Sequence, residues 1–304
     1  MSPAASGSLG RIRERVISTS RGPLSALEAH PPGEALGRIV MVTGYLHDKN
    51  LWTVPLALLS RAGYRCLVYN HLGQPGSGRV SESGAYEVQK LAGDLSDVLT
   101  TWTGGDPVHL LGSCLGGFVA RTAVLDAPRA VRSLTLISSG PGLTASKSPE
   151  FPDHVRELLA NGGPRALWEE VSGWLLTHGR EGGRAFDSFR RNVLDADPEH
   201  LLGFPASLRN LDPREADLSA VDVPKLVVHG GDDDTWPPDS IDRMARRIGA
   251  RSAAVAGAGH GPLVERPAAT TAMIRAFLES SRPALPEPPA DPSPTPSGRT
   301  RTAG

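Results

Sequence analysis

The chain has 304 residues, 39% of them hydrophobic and 21% charged, enough apolar material for one sizeable core. A formal net charge of −1, with no basic stripe and no polybasic helix, argues against nucleic acid and membrane surfaces as partners. Two cysteines, Cys66 and Cys114, are too few for a disulfide framework.

Met1 to Gly10 is rich in Ser, Ala and Gly, lacks the apolar stretch of a secretory signal and reads as a disordered N-terminus. No apolar run reaches membrane-spanning length, so a reducing cytoplasm is the expected setting. Arg11 to Leu27 alternates around Arg21-Gly22-Pro23, the pattern of an antiparallel hairpin. From Arg38 the pattern becomes strand–helix alternation: Ile39–Val42 as a buried strand, Leu51–Arg61 as a helix, then a strand around Cys66, which reads as core packing. Between Tyr86 and Trp102, Val88, Leu91, Leu95, Val98 and Leu99 recur at helical spacing. Val108–Leu111 and Val131–Ile137 are strands, separated by a helix over Gly116–Leu125.

Residues 143–220 break the alternation with helical stretches alone, at Asp153–Ala160, Pro164–Thr177 and Gly183–Leu194, which predicts a helical cap over the C-terminal edge of the sheet. The segment carries Trp168, Trp174, Phe186, Phe189 and Phe204, candidates for the cap's own core. Trp168, Trp174 and Phe186 are also candidates for lining a substrate pocket. Alternation resumes at Lys225–His229 and ends with a helix over Arg266–Ser280. Pro283 to Gly304 holds seven prolines and reads as a disordered tail. The expectation is a single domain over 11–282, α/β in class, with a doubly wound, mostly parallel sheet and ligands beyond the strand C-termini.

Gly112-Ser113-Cys114-Leu115-Gly116 follows a predicted strand and opens a predicted helix. A nucleophile held in such a tight strand-to-helix turn needs very small residues two positions to either side. Gly112 and Gly116 meet that demand around Cys114, whereas centring on Ser113 would place Leu111 and Leu115 there. Two later loops supply partners. In Gly231-Asp232-Asp233-Asp234-Thr235-Trp236-Pro237, Asp233 is the favoured acid, with Asp232 and Asp234 as alternates; Asp234 is also a candidate helix cap. In Ala258-Gly259-His260-Gly261, a histidine bracketed by glycines after a terminal strand is the candidate base.

The order nucleophile, acid, base resembles that of α/β-hydrolases, and the chain resembles a helically capped, actinobacterial type of that superfamily over about Arg11–Ser281. Val42-Thr43-Gly44-Tyr45 and Asn70-His71-Leu72-Gly73 complete the resemblance. The chain departs from the family in Cys114 for serine, Thr43 for the His of His-Gly, and Asn70 for the Asp of Asp-x-x-Gly. Family membership implies an oxyanion hole from the backbone N–H groups of Tyr45 and Leu115. His47 and His71 are expected near the same edge as loop-surface residues, with contact to substrate as the lesser alternative.

A thiol ionises far more readily than a hydroxyl, so His260 and the helix N-terminus after Cys114 favour a thiolate. The expectation is a cofactor-independent acyl hydrolase without a metal. Its substrate would be a small-molecule ester, lactone or thioester, cleaved through an acyl-thioester. An acyltransferase, cyclase or eliminating enzyme of secondary metabolism is the alternative, followed by a non-catalytic binding protein. Oligomeric state is left open.

Overall fold

Val40 and Val42 turn to one face of a central strand while Ile39 and Met41 turn to the other, and all four are fully buried. This period of two, apolar on both faces, is what a strand covered by helices on both sides requires. Burying each such side chain contributes about 1.5–3 kcal/mol before the cost of ordering it. A computed structural model describes residues 12–82, 84–177 and 182–281. The termini expected to be disordered, 1–10 and 283–304, lie outside the described residues.

The strands are β1 (Ile12–Thr19), β2 (Gly22–Ala29), β3 (Gly37–Val42), β4 (Tyr64–Tyr69), β5 (Val108–Ser113), β6 (Val131–Ile137), β7 (Lys225–Gly230) and β8 (Arg251–Val255). They form one eight-stranded sheet in the order β1-β2-β4-β3-β5-β6-β7-β8. β1 and β2 pair as an antiparallel hairpin and β2 runs antiparallel to β4, while every other pairing is parallel. The α/β fold with its mostly parallel, doubly wound sheet is therefore as expected.

The helices through the first half are α1 (Thr53–Arg61), α2 (Val88–Thr103) and α3 (Leu115–Asp126). Four more form the cap: α4 (Phe151–Thr177), α5 (Gly183–Leu194), α6 (Pro198–Ala206) and α7 (Glu215–Ala220). α8 (Pro238–Arg247), α9 (Pro262–Glu265) and α10 (Pro267–Ser280) complete the chain. α2, α3 and α8 cover the Val40 face, and α1 and α10 the Ile39 face. Gly163 at φ 63°, followed by Pro164, breaks α4 into the two segments that sequence places at 153–160 and 164–177. Among the described residues no helix is long and apolar enough to cross a membrane.

A carboxylate is sunk into the sheet. Glu28 of β2 is 1% exposed and accepts bonds from Arg15 (2.6 Å), Arg65 (2.6 Å) and the Trp102 indole (2.9 Å). Burial opposes ionisation of its carboxyl, but the arginines and the indole prevail and bring its pKa down to about 2.

Candidate active site

β5 runs straight into α3 through Cys114, whose φ of 51° and ψ of −123° put a non-glycine residue in a region side chains avoid. Such a conformation costs on the order of 1–3 kcal/mol and persists only where surrounding contacts enforce it. Here Cys114 N–H donates to the Ile137 carbonyl (2.9 Å), and Gly117 N–H donates to the Cys114 carbonyl (3.0 Å). The glycines are indeed obligatory, for reasons that differ between them. A Cβ on Gly112 would lie 2.6 Å from the Gly116 carbonyl oxygen, but one on Gly116 would lie 2.3 Å from that of Thr43. Gly112 lets the helix approach the strand, and Gly116 lets the helix approach the loop after β3.

The loops after β7 and β8 bring the acid and base to this turn. Asp233 is fully buried, and its Oδ1 takes the main-chain N–H groups of Thr235 (2.8 Å) and Trp236 (3.1 Å). The same carboxylate faces His260 Nδ1 at 3.1 and 3.2 Å. Asp232 and Asp234 are exposed, and Asp234 does not cap α8, whose first turn has no side-chain cap. With Nδ1 on Asp233, the remaining ring nitrogen is left for Cys114, which lines the same cavity as His260. The site thus brings Cys114, His260 and Asp233 together.

Electrostatics follow from that contact. Burial disfavours the charged imidazole, but the Cys114 and Asp233 side chains outweigh it and hold His260 well above the ordinary histidine range. Burial likewise opposes the Asp233 carboxylate, and the His260 ring with the two main-chain donors holds it below the usual aspartate range. Lys147 tightens the acid loop by donating its Nζ to the Asp233 carbonyl (2.8 Å). The Trp236 ring, 1% exposed and 5.6 Å from the His260 ring, walls the site and leaves room for no side chain at Gly140.

Cys114 opens into a cavity of about 600 Å³ between sheet and cap. Tyr45 and Leu115 line it beside Cys114. Leu115 is the first residue of α3, so its N–H has no acceptor within the helix. Gly44 packs so closely on Cys114 that a Cβ there would lie 2.9 Å from the Cys114 Cβ, which brings the following Tyr45 to the thiol. Among the described residues no group of three or more His, Cys, Asp and Glu side chains could hold a metal ion.

The cap residues are distributed otherwise than expected. Trp174 lines the cavity, whereas Trp168 and Phe186 do not; they pack edge-to-face on each other, 5.1 Å apart, within the cap. The rings that do face the cavity with Trp174 are Phe151 and Phe189, at the start of α4 and on α5. Sequence reading passes over Phe151 because it precedes the expected helix. His47 lines the cavity, 5.3 Å from the Phe189 ring. His71 is not a surface residue: α6 lies over it, its Nε2 meets the Thr43 carbonyl at 3.0 Å and its ring stacks on His200. Burial lowers the two imidazoles to about 4 and about 3 respectively, so both are neutral. Asn70 uses both ends of its amide, accepting from Lys49 N–H (2.6 Å) and donating to the Pro75 carbonyl (2.9 Å), which an aspartate could not do.

The strand order, the strained turn at Cys114 and the acid and base carried by the last two strand-end loops define an α/β-hydrolase architecture. Residues 37–267 match the family model described as alpha/beta hydrolase fold, and the chain belongs to that family. It is 27% identical over 235 residues to a non-heme chloroperoxidase of Kitasatospora aureofaciens, covering 73% of this chain and 84% of the relative. It is 29% identical over 220 residues to a pimeloyl-[acyl-carrier protein] methyl ester esterase of Neisseria meningitidis, covering 67% of this chain and 66% of the relative. An enol-lactonase from Burkholderia xenovorans LB400 superposes with a TM-score of 0.75 at 20% identity, over 87% of this chain and 100% of that one.

Proposed function

We propose that the protein is a thiol-dependent acyl hydrolase acting on small-molecule esters, lactones or thioesters. The observation that carries this reading is the contact chain Asp233–His260–Cys114 at the floor of a 600 Å³ cavity lined largely by apolar side chains. The Cys114 thiolate attacks the carbonyl carbon, and the carbonyl electron pair moves to oxygen, where the N–H groups of Tyr45 and Leu115 receive it. As the tetrahedral intermediate collapses, His260 gives its proton to the departing alkoxide or thiolate and a thioester remains on Cys114. Water then enters, loses its proton to His260 and attacks the thioester; the acid leaves and the thiolate returns. Asp233 holds the imidazole in the right tautomer and offsets its charge in both halves. The esterase and lactonase among the similar proteins support this reaction class.

The cavity also favours a second reading, transfer of the acyl group to an amine or alcohol. Its volume lies well inside the range of sites for drug-sized ligands, about 300–1,000 Å³, and leaves room for an acceptor beside a short acyl chain. Intact-mass spectrometry after mixing with p-nitrophenyl butyrate tests both. The expected result is a butyryl adduct on wild type, none on Cys114→Ala, and release of p-nitrophenolate that depends on Cys114. Undiminished turnover in Cys114→Ala would sink the assignment. An adduct discharged faster by added amine than by water selects transfer.

A further inference from the structure

The turn that carries Tyr45 is strained and is held from outside the sheet. His47 N–H closes it on the Gly44 carbonyl (3.3 Å), and Leu46 sits at φ 59°, a left-handed conformation ordinarily left to glycine. Nothing in the turn's own sequence favours that shape. Three cap helices supply it instead. The Tyr45 hydroxyl donates to the Leu201 carbonyl of α6 (2.9 Å), and the Tyr45 ring meets Phe151 of α4 edge-on at 5.6 Å. His47 packs on Phe189 of α5. Asp48, 1% exposed, accepts from the buried Ser188 hydroxyl of α5 and from Asn50 N–H (2.9 Å).

We infer that the cap positions the oxyanion donor: the Tyr45 hydroxyl, Asp48 and Ser188 are positioning residues that hold the Tyr45 N–H in line with the Cys114 thiol. The inference rests on the acyl-transfer chemistry proposed above and extends it, because it makes the cap part of the catalytic apparatus as well as a cover for substrate. A strained turn persists only where contacts over-determine it, and here those contacts come from the element that closes over the ligand. Loosening them lets Leu46 relax and carries the neighbouring N–H away from the developing oxyanion. Displacements of about 1 Å at such a donor cost up to roughly a hundredfold in rate.

Tyr45→Phe and Ser188→Ala each remove one oxygen atom and keep the surrounding packing, so both are expected to fold; thermal melts check this. Three quantities are compared with wild type: kcat and KM for p-nitrophenyl butyrate, Cys114 alkylation by iodoacetamide, and inhibition by butyraldehyde. Alkylation displaces iodide and develops no oxyanion, whereas the aldehyde forms a thiohemiacetal whose oxygen occupies the oxyanion position. The expected result is a kcat lower by about tenfold, aldehyde inhibition weakened by a similar factor, and KM and alkylation rate within twofold. Contacts that only fasten the cap would raise KM and leave kcat alone, and that result overturns the inference. Alkylation falling in step with kcat overturns it too, since the whole site would then have moved. A wild-type protein whose Cys114 resists both acylation and alkylation overturns the underlying chemistry, and the inference with it.

Discussion

Gly116 and Thr43 touch: the space a Cβ would need on the first residue is occupied, at 2.3 Å, by the carbonyl oxygen of the second. The helix after Cys114 and the loop after β3 are therefore in backbone contact, and the two halves of the candidate oxyanion hole share one wall. Gly116→Ala should push them apart. Overpacking of this kind costs about 1–3 kcal/mol, or roughly 2–10 °C in Tm for a domain of this size. Thermal denaturation should show that drop, and p-nitrophenyl butyrate turnover should fall by a larger factor than stability alone explains.

The contact between Cys114 and His260 can be read from the imidazole. The Cys114 side chain is one of the groups that lift His260 well above its ordinary range. Cys114→Ser replaces it with a neutral hydroxyl, so His260 should titrate at distinctly lower pH. NMR titration of its Cε1 proton checks this, and an unmoved midpoint would show that Asp233 alone sets the charge of the ring.

Glu28 makes the fold sensitive to acid. Its carboxyl titrates near pH 2 when folded, against an ordinary value of 4.5, so its contribution is complete above pH 4.5 and is lost as pH falls toward 2. Glu28→Gln should cost about 3 kcal/mol at pH 7. The gap between mutant and wild type should close as pH falls from 4.5 to 2. Urea unfolding at pH 7 and pH 3 measures both.

His71 and His200 act in the same direction over a higher window. Both are held neutral in the folded protein, at about 4 and about 3, while the unfolded chain protonates them near 6.5. Stability should decline as pH drops from about 6.5 toward 4, because the unfolded state then binds more protons. His200→Leu, apolar and close in size, should flatten that decline. Differential scanning calorimetry at pH 7 and pH 5 decides it.

Much of the site is legible in the chain because backbone strain leaves a local mark. Gly112 and Gly116 identify Cys114, since only a residue without Cβ fits where they stand. Asp233 stands out less sharply among three aspartates; its burial and its bond to His260 depend on how two distant loops meet. The cap is the least legible part. Trp168 and Phe186 look like pocket rings by type, but the kink at Gly163 and the docking of α5 turn them toward each other. His71 looks like a loop residue until α6 is laid over it. Helical periodicity tells that a face is buried and is silent on which helix buries it.

Cys66 gives the protein a built-in calibration. Its thiol lies in the core beneath α1, fully buried, and burial pushes its ionisation far above the physiological range. A thiol reagent applied to native protein therefore meets Cys114 alone, and the second equivalent reacts only after unfolding. The ratio of native to denatured thiol counts reports the fraction of molecules with an intact Cys114 thiol, so any measured activity can be normalised to it without an added tag or probe.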